Sequence, residues 1–272
     1  MALAPERVEH LAAILKAVSG FVLTPDKTYM VEPRLSAVAR REGLPSVDAV
    51  LAKLRTQPTE ELIWAVAEAM AVTETTFFRD RTPFDLFRDE IAPAIAARRP
   101  DRIVRVWCAG VGTGQEAYSL AMLGEAMTDL RLDILGTDFS RRCLEKAQSG
   151  LYTQFEVQRG LPARLLIEHF DKADEMWRAN DRLRQAVTWK KSNLLGDFSG
   201  LGRFDVVFCR NVLPGFDAAT RRDVLDRLAQ VTAPDGFLVL GAAETALESG
   251  AFRQLPGRRG FYARDPEHRA AA

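Results

Sequence analysis

Cysteine and histidine are scarce in this chain. Each contributes only three of the 272 residues. They are Cys108, Cys143 and Cys209, and His10, His169 and His268. An odd number of widely spaced cysteines does not form a disulfide framework or a zinc knuckle, and the scattered histidines do not predict a metal site. We therefore expect reduced thiols in a core that needs no metal.

Net charge and long apolar runs are missing as well. Lys and Arg total 37, and so do Asp and Glu, so nonspecific binding to nucleic acid is not favoured. No segment approaches the roughly 20 apolar residues of a membrane span, and charges near the N-terminus argue against a signal peptide. These absences predict a cytoplasmic protein that does not insert directly into a membrane.

The first 75 residues carry apolar side chains at helical spacing. Helices are expected from about Pro5 to Ser19, from about Lys27 to Glu42, after the N-cap Ser46 and from near Thr59. Residues 1–75 therefore predict an all-α N-terminal domain.

The periodicity changes in the remainder, 76–272. Short β-rich segments near residues 103, 132, 187, 204 and 236 alternate with helical segments, which predicts a parallel, doubly wound α/β sheet. Segments on either side of Pro256 and Gly257 predict a terminal hairpin. The stretch of about 36 residues at roughly 150–186 is too long for an ordinary connection between a helix and a strand. It predicts an inserted subdomain on the rim of the sheet.

A glycine-rich loop follows the first predicted strand, with Gly110, Gly112 and Gly114 in a G-x-G-x-G pattern. Glycine permits a close backbone approach to a ligand, and the helix that follows presents free N–H groups to a negative group. Dinucleotide enzymes use G-x-G-x-x-G for a pyrophosphate. The shorter pattern suits a ligand with a carboxylate, such as S-adenosylmethionine.

Asp138 ends the second predicted strand, where an acid can accept both hydroxyl groups of a ribose. The alternative is that Asp138 only caps the next helix, a role that Ser140 could fill instead. The loop and the acid together indicate a cofactor that contains adenosine.

Six motifs occur here in the order found in the chemotaxis receptor glutamate methyltransferases of the CheR type, which the chain therefore resembles. They are TETTFFRD at 73–80, VWCAG at 106–110, GQEAYSLAM at 114–122, GTDFS at 136–140, NLL at 193–195 and FDVVFCRNVL at 204–213. The resemblance implies a Rossmann-like class I methyltransferase domain with a small inserted β-subdomain, preceded by an all-α domain that docks the substrate.

The resemblance also implies a protein-glutamate O-methyltransferase in chemotaxis signalling, with S-adenosyl-L-methionine as cofactor and S-adenosyl-L-homocysteine as product. Its cofactor contacts are expected at Thr73, Thr75, Arg79, Gly110, Gly112, Glu116, Asp138, Asn193, Arg210 and Asn211. Arg79 is also the catalytic candidate, since a guanidinium can orient the target carboxylate or hold the carboxylate of the cofactor. The alternative for Arg79 is a salt bridge at the domain junction.

The expected partner is the cytoplasmic helical region of chemotaxis receptors, bound by a protein that is self-sufficient as a monomer. Candidate docking residues are Lys27, Arg34, Arg40 and Arg41. With Glu32, the segment 27–41 has a net charge of +3 (4 − 1) and would attract acidic helices. A solvated helix face would show the same charge pattern.

The chain departs from the family pattern at several positions, among them Thr73, where the family often has asparagine. Gly215 stands where a tyrosine facing the transferred methyl group is expected, and Ala242 and Ala243 replace a His-Ser pair. Because a glutamate is already ionised at neutral pH, its methylation needs no general base, so weakened or redirected activity is expected rather than none. Rival interpretations are a methyltransferase for another protein and a cofactor-binding signalling adaptor without activity. A nicotinamide dehydrogenase fits the loop spacing poorly.

Overall fold

The computed structural model describes residues 4–71 and 74–268. The chain divides into two compact units. The helical unit comprises Met1–Val72 together with Pro214–Thr220, and the sheet unit comprises Thr73–Leu213 and Arg221–Ala272. The sequence did not indicate that Pro214–Thr220 belongs with the helices. It is tied to them by a hydrogen bond from the Val22 N–H to the Gly215 carbonyl at 2.8 Å and by an ion pair of Lys16 with Asp217.

Four α-helices and a short 3₁₀ helix build the helical unit. They are α1 (Pro5–Ser19), the 3₁₀ helix Pro25–Met30, α2 (Val31–Arg41), α3 (Val47–Thr56) and α4 (Glu60–Met70). Ser46 and Thr59 cap α3 and α4 by accepting from the Ala49 and Leu62 N–H groups, as expected. Gly20 ends α1 in the left-handed conformation.

The second helix starts later than predicted. The expected start at about Lys27 is wrong, because Pro25–Met30 is a 3₁₀ helix and α2 begins only at Val31. Pro33 explains the difference. A proline is tolerated in the first turn of an α-helix, but a helix from Lys27 would place it in the interior, where its ring clashes with a carbonyl.

Within residues 74–268, ten strands and eight further α-helices follow in chain order, with two short 3₁₀ helices at Ser199–Leu201 and Leu213–Gly215. The helices are α5 (Thr82–Leu86), α6 (Ala92–Ala96), α7 (Gln115–Ala126), α8 (Arg141–Ser149), α9 (Gln154–Gln158), α10 (Ala163–His169), α11 (Asp181–Gln185) and α12 (Ala218–Val231), with a π-helical turn Phe87–Ile91 between α5 and α6. The strands are β1 (Ile103–Ala109), β2 (Arg131–Asp138), β3 (Leu151–Thr153), β4 (Phe170–Ala173), β5 (Met176–Ala179), β6 (Val187–Lys191), β7 (Phe204–Phe208), β8 (Thr232–Val239), β9 (Phe252–Gln254) and β10 (Phe261–Arg264).

The main sheet has seven strands in the order β6-β2-β1-β7-β8-β10-β9. The first five of these run parallel, and β10 and β9 add the predicted antiparallel edge. The strand order reverses at β1, and ligands of such sheets bind at the carboxyl ends of the strands at that point. The predicted α/β fold is confirmed. We call the carboxyl ends of β1, β2, β7 and β8 the carboxyl edge.

The inserted β-subdomain is also confirmed, as a three-stranded antiparallel sheet in the order β3-β5-β4. Tyr152 on β3 and Phe170 on β4 are buried and pack edge-on against Phe77, with ring centroids 5.1 and 5.6 Å apart. These aromatic contacts bury the apolar face of this small sheet.

The helices and the cysteines bear on two further expectations. In the part of the chain that the structure describes, no helix is both long and apolar enough to cross a membrane. All three cysteines are free thiols with buried side chains.

Candidate functional site

The glycine loop connects β1 to α7 at the carboxyl edge. Gly110 and Gly114 have φ angles of 72° and 96°, in the left-handed region. A Cβ at Gly110 would lie 2.7 Å from Val212 Cγ2, and one at Gly114 would lie 2.8 Å from Ala147 Cβ. Both positions therefore require glycine, for conformation and for space. The loop places the N-terminus of α7 at the open edge of the sheet.

Asp138 lies at the end of β2 with a side chain that is almost fully buried. Its Oδ2 accepts from the Gly112 N–H and its Oδ1 from the Ser140 N–H, both at 2.9 Å. The hydroxyl group of Ser140 caps α8 by accepting from the Cys143 N–H. The capping role is thus filled by Ser140. A carboxylate has about four acceptor positions, so contact of Asp138 with a ribose is compatible with these bonds and stays a prediction.

Arg79 lies in the turn at residues 78–81, and three residues of this turn have positive φ angles although none is glycine. The angles are 46° at Phe78, 61° at Asp80 and 30° at Arg81. The Arg79 side chain donates from Nη1 to the Glu74 carbonyl at 3.1 Å. Thr75 precedes the turn and is half-buried, and Thr73 lies outside the described residues.

Arg210 follows β7 and supports the 78–81 turn. Its side chain is 1% exposed. Nη1 binds Glu116 Oε2 at 2.8 Å, while Nη2 binds Asp80 Oδ2 at 2.7 Å and the Arg79 carbonyl at 3.0 Å. The predicted cofactor contact of Arg210 is untested. This geometry favours an indirect role, in which Arg210 holds Glu116 and the turn in place.

Glu116 lies in the first turn of α7 with a side chain that is 12% exposed. Burial raises the pKa of Glu116, while the adjacent Arg210 guanidinium acts in the opposite direction. Buried carboxylates next to a glycine loop can accept from an ammonium group of a ligand.

Asn193 and Asn211 lie in the loops after β6 and β7. Asn193 Oδ1 accepts from the Leu195 N–H at 3.1 Å, which fixes the turn that follows β6. Asn211 has a φ of 62°, again in the left-handed region. Their cofactor contacts stay predictions, and both loops follow the carboxyl ends of parallel strands of the main sheet.

Glu244 is a residue whose role the sequence did not reveal. Its two carboxylate oxygens accept four backbone N–H groups at 2.5 to 3.0 Å. The donors belong to Asn211, Val212, Leu213 and Gly241. Burial raises the pKa of Glu244, and the four donors oppose this effect. The sequence signal was that Gly241 and Glu244 keep the two ends of the family motif in which Ala242 and Ala243 replace a His-Ser pair.

The docking candidates do not share one exposed surface. Arg34 donates from Nη1 to the Met70 and Ala71 carbonyls at 2.6 and 2.9 Å, so it caps the end of α4. Arg40 and Arg41 are exposed at the end of α2, and the Lys27 ammonium lies 5.4 Å from the centre of the Phe21 ring. Arg40 and Arg41 therefore remain the most accessible docking candidates.

The residues at the carboxyl edge fit S-adenosylmethionine. The glycine loop brings the N-terminus of α7 to this edge, Asp138 suits a ribose, and Glu116 suits the amino group of a methionine moiety. Among the described residues, no cluster of three or more His, Cys, Asp and Glu side chains could hold a metal ion.

Comparison with known proteins gives the same assignment. The family profile "CheR methyltransferase, all-alpha domain" matches residues 6–70, and "CheR methyltransferase, SAM binding domain" matches residues 73–261.

Similar curated proteins include "Chemotaxis protein methyltransferase Cher2" of Pseudomonas putida, 32% identical over 87% of this chain and 89% of the relative. "Chemotaxis protein methyltransferase 1" of Pseudomonas aeruginosa is 34% identical over the same shares. The protein of that name from Vibrio cholerae is 34% identical over 85% of this chain and 86% of the relative. This chain is an S-adenosylmethionine-dependent methyltransferase and belongs to the CheR family.

Proposed function

We propose that the chain forms methyl esters on glutamate side chains of chemotaxis receptors, in the cytoplasm and as a monomer. The relatives are named chemotaxis protein methyltransferases, which supports the pathway. The observation that carries the choice of a carboxylate target is the state of the ionisable groups at the carboxyl edge. Four of these groups form hydrogen bonds within the chain and are not arranged as a general base: Glu116, Asp138, Arg210 and Glu244.

A site without a general base is sufficient for methyl transfer when the target is a carboxylate. Bound S-adenosylmethionine supplies a methyl group on a positively charged sulfur. A glutamate with a reference pKa near 4.3 arrives ionised, so no protein group has to remove a proton. The task of the protein is then to orient the two reactants and to exclude water.

Arg79 is the proposed orienting residue. Its side chain is held by the Glu74 carbonyl. Burial raises the pKa of Glu116, and the charge of Arg79 is among the groups that oppose this rise. A guanidinium in this place can bind either the target carboxylate or the carboxylate of the cofactor. Either contact would be lost in Arg79→Ala.

The test is a methylation assay with labelled cofactor on receptor cytoplasmic fragments, scored as base-labile methyl esters. We expect esters with the wild type and a loss of about 10- to 100-fold in kcat/KM for Arg79→Ala. Arg81→Ala is the matched control, because the Arg81 side chain is 76% exposed. Absence of esters on every receptor fragment, or equal rates for the two variants, would contradict the proposal.

Receptor docking is proposed for the end of α2, through Arg40 and Arg41. Both side chains are exposed, and positive charge there complements acidic receptor helices. Reversing both to glutamate is expected to raise the KM for receptor about tenfold or more, with an unchanged dissociation constant for the cofactor. Arg34→Glu is unsuitable for this purpose, because it also removes the cap of α4. An unchanged receptor KM in the double variant would remove this docking site.

Gly215, Ala242 and Ala243 favour one second candidate, a signalling adaptor that binds the cofactor without transferring its methyl group. Calorimetry separates the two functions. Cofactor binding without esters on any receptor fragment would support the adaptor, whereas esters on a different protein would redirect the substrate and retain the chemistry.

A further inference from the structure

Tyr152 connects the inserted sheet to the glycine loop. It lies on β3, its ring is 0% exposed, and its hydroxyl group donates to the Thr113 carbonyl at 2.7 Å. The ring packs edge-on against Phe77 and Tyr118, at centroid distances of 5.1 and 6.2 Å. A side chain from the insertion thus reaches the middle of the loop that receives the cofactor.

The hydrogen bond fixes a peptide group that no regular secondary structure holds. The Thr113 carbonyl bonds to Tyr152, and the N–H of the same peptide, at Gly114, donates to the Val111 carbonyl at 3.2 Å. Two peptides earlier, the Gly112 N–H donates to Asp138. The loop is therefore held from two sides, by Asp138 of β2 and by Tyr152 of the insertion.

Tyr118 provides an internal comparison. It is also fully buried in the same aromatic cluster, and its hydroxyl group donates at the same distance of 2.7 Å. Its acceptor is the Ala147 carbonyl on α8, outside the loop. Burial raises the pKa of both tyrosines, so both hydroxyl groups remain donors at neutral pH. The two side chains differ mainly in which backbone segment they hold.

We propose that Tyr152 is a positioning residue for S-adenosylmethionine, and that through it the inserted sheet sets the affinity of the glycine loop for the cofactor. A loop carbonyl without its donor can turn toward other partners, and the neighbouring N–H groups turn with it. The loop would then meet the cofactor in several conformations, and only part of the population would be competent to bind. This inference concerns cofactor binding and does not depend on the receptor target.

The test compares Tyr152→Phe with Tyr118→Phe. Each change removes one hydroxyl group and retains the ring. We expect the dissociation constants for S-adenosylmethionine and S-adenosylhomocysteine, measured by calorimetry, to rise about three- to tenfold in Tyr152→Phe. Those of Tyr118→Phe should stay within about twofold of the wild type, although both variants lower the midpoint of thermal unfolding to a similar extent.

Two further measurements separate positioning from general stability. Hydrogen exchange of the amides at 112–114 should accelerate only in Tyr152→Phe. In a transfer assay on whichever protein accepts the methyl group, the KM for the cofactor should rise while the KM for the acceptor does not. Wild-type affinity in Tyr152→Phe, or an equal loss in both variants, would overturn the proposal. So would a Tyr152→Phe protein that unfolds while Tyr118→Phe folds.

Discussion

The segments at the carboxyl edge reach left-handed backbone conformations in two different ways. The glycine loop adopts left-handed conformations at Gly110 and Gly114, where glycine has no side chain to clash. The 78–81 turn and Asn211 adopt such conformations with ordinary side chains, which costs roughly 1–2 kcal/mol at each residue. The glycine loop therefore adopts its conformation without strain. The 78–81 turn and Asn211 are strained and must be held in place by contacts with other residues.

Two charged side chains hold these strained segments, one of them buried and the other half-buried. Arg210 binds the Asp80 carboxylate and the Arg79 carbonyl, and Glu244 accepts the N–H groups of Asn211 and the two residues that follow. A charged side chain in an active site is easily assigned to chemistry. Here the geometry assigns both charges first to backbone support.

The largest effect is expected for Arg210→Met. Loss of the guanidinium leaves Glu116 buried without its partner and releases the strained turn. We expect destabilisation by about 3–5 kcal/mol in urea unfolding and loss of measurable cofactor binding.

Arg99→Met is the matched control for Arg210→Met. Arg99 also binds two carboxylates, Asp205 and Asp235, but it does so away from the carboxyl edge. It should destabilise the protein while the folded fraction retains wild-type cofactor affinity. An Arg210→Met protein with near wild-type stability and affinity would contradict the supporting role of Arg210.

A smaller loss is expected for Glu244→Gln. The glutamine side chain has one acceptor oxygen where glutamate has two. Its NH₂ group would therefore lie against backbone N–H groups that donate to a carboxylate oxygen in the wild type. We expect destabilisation by about 2 kcal/mol, measured by urea unfolding, and a weaker cofactor affinity as Asn211 and its neighbours lose their fixed positions. Glu248→Gln, which alters a partly exposed ion pair with Arg221, should change stability by less than about 1 kcal/mol.

The pH dependence of Glu244→Gln provides an independent check. The pKa of Glu244 is raised in the fold from its ordinary 4.5, so above that pH the folded protein binds more protons than the unfolded one. The contribution of this group to stability therefore falls as pH rises from about 4.5 through the folded pKa. The free energy of unfolding of the wild type minus that of Glu244→Gln should therefore fall over this pH range. Parallel pH profiles of the two proteins would contradict this expectation.

Gly114→Ala tests the relaxed loop and should have a more moderate effect. The added methyl group meets Ala147 at 2.8 Å in a backbone with a φ of 96°. We expect destabilisation by about 1–2 kcal/mol and a cofactor dissociation constant raised about tenfold. Gly43→Ala separates strain from collision, because Gly43 has a φ of 65° with nothing within 4 Å of the added Cβ. Equal cofactor affinity in the two variants would mean that the loop tolerates the collision.

The same contrast explains how far the sequence could predict the structure. Local signals gave the glycine loop, the caps at Ser46, Thr59 and Ser140, and the alternation of strands and helices. The 78–81 turn has no local signature, because its support comes from Arg210, 130 positions beyond Asp80.

Long-range contacts also changed the expected role of one charged residue. Arg34 had the spacing of a docking residue, and only the fold shows that it caps a helix ending 36 positions later. Charge patterns alone do not distinguish a solvated face from a guanidinium that binds backbone carbonyls. The four acceptor bonds of Glu244 were hidden for the same reason, since its donors lie mostly 31 to 33 positions away.

The smallest effect is expected for Gly215→Tyr. The variant tests whether Gly215, unlike Gly110 and Gly114, can be replaced without backbone strain. Gly215 lacks a positive φ, and an added Cβ would meet only Phe21 Cδ2 at an ordinary 3.5 Å. The variant should fold with a stability within about 1 kcal/mol of the wild type. One added hydrogen bond would raise the rate of methyl transfer by about tenfold at most, measured against Gly215→Phe, which lacks the hydroxyl group. A rise of about a thousandfold or more would instead mean that the natural chain is nearly inactive, and would favour the adaptor over the enzyme.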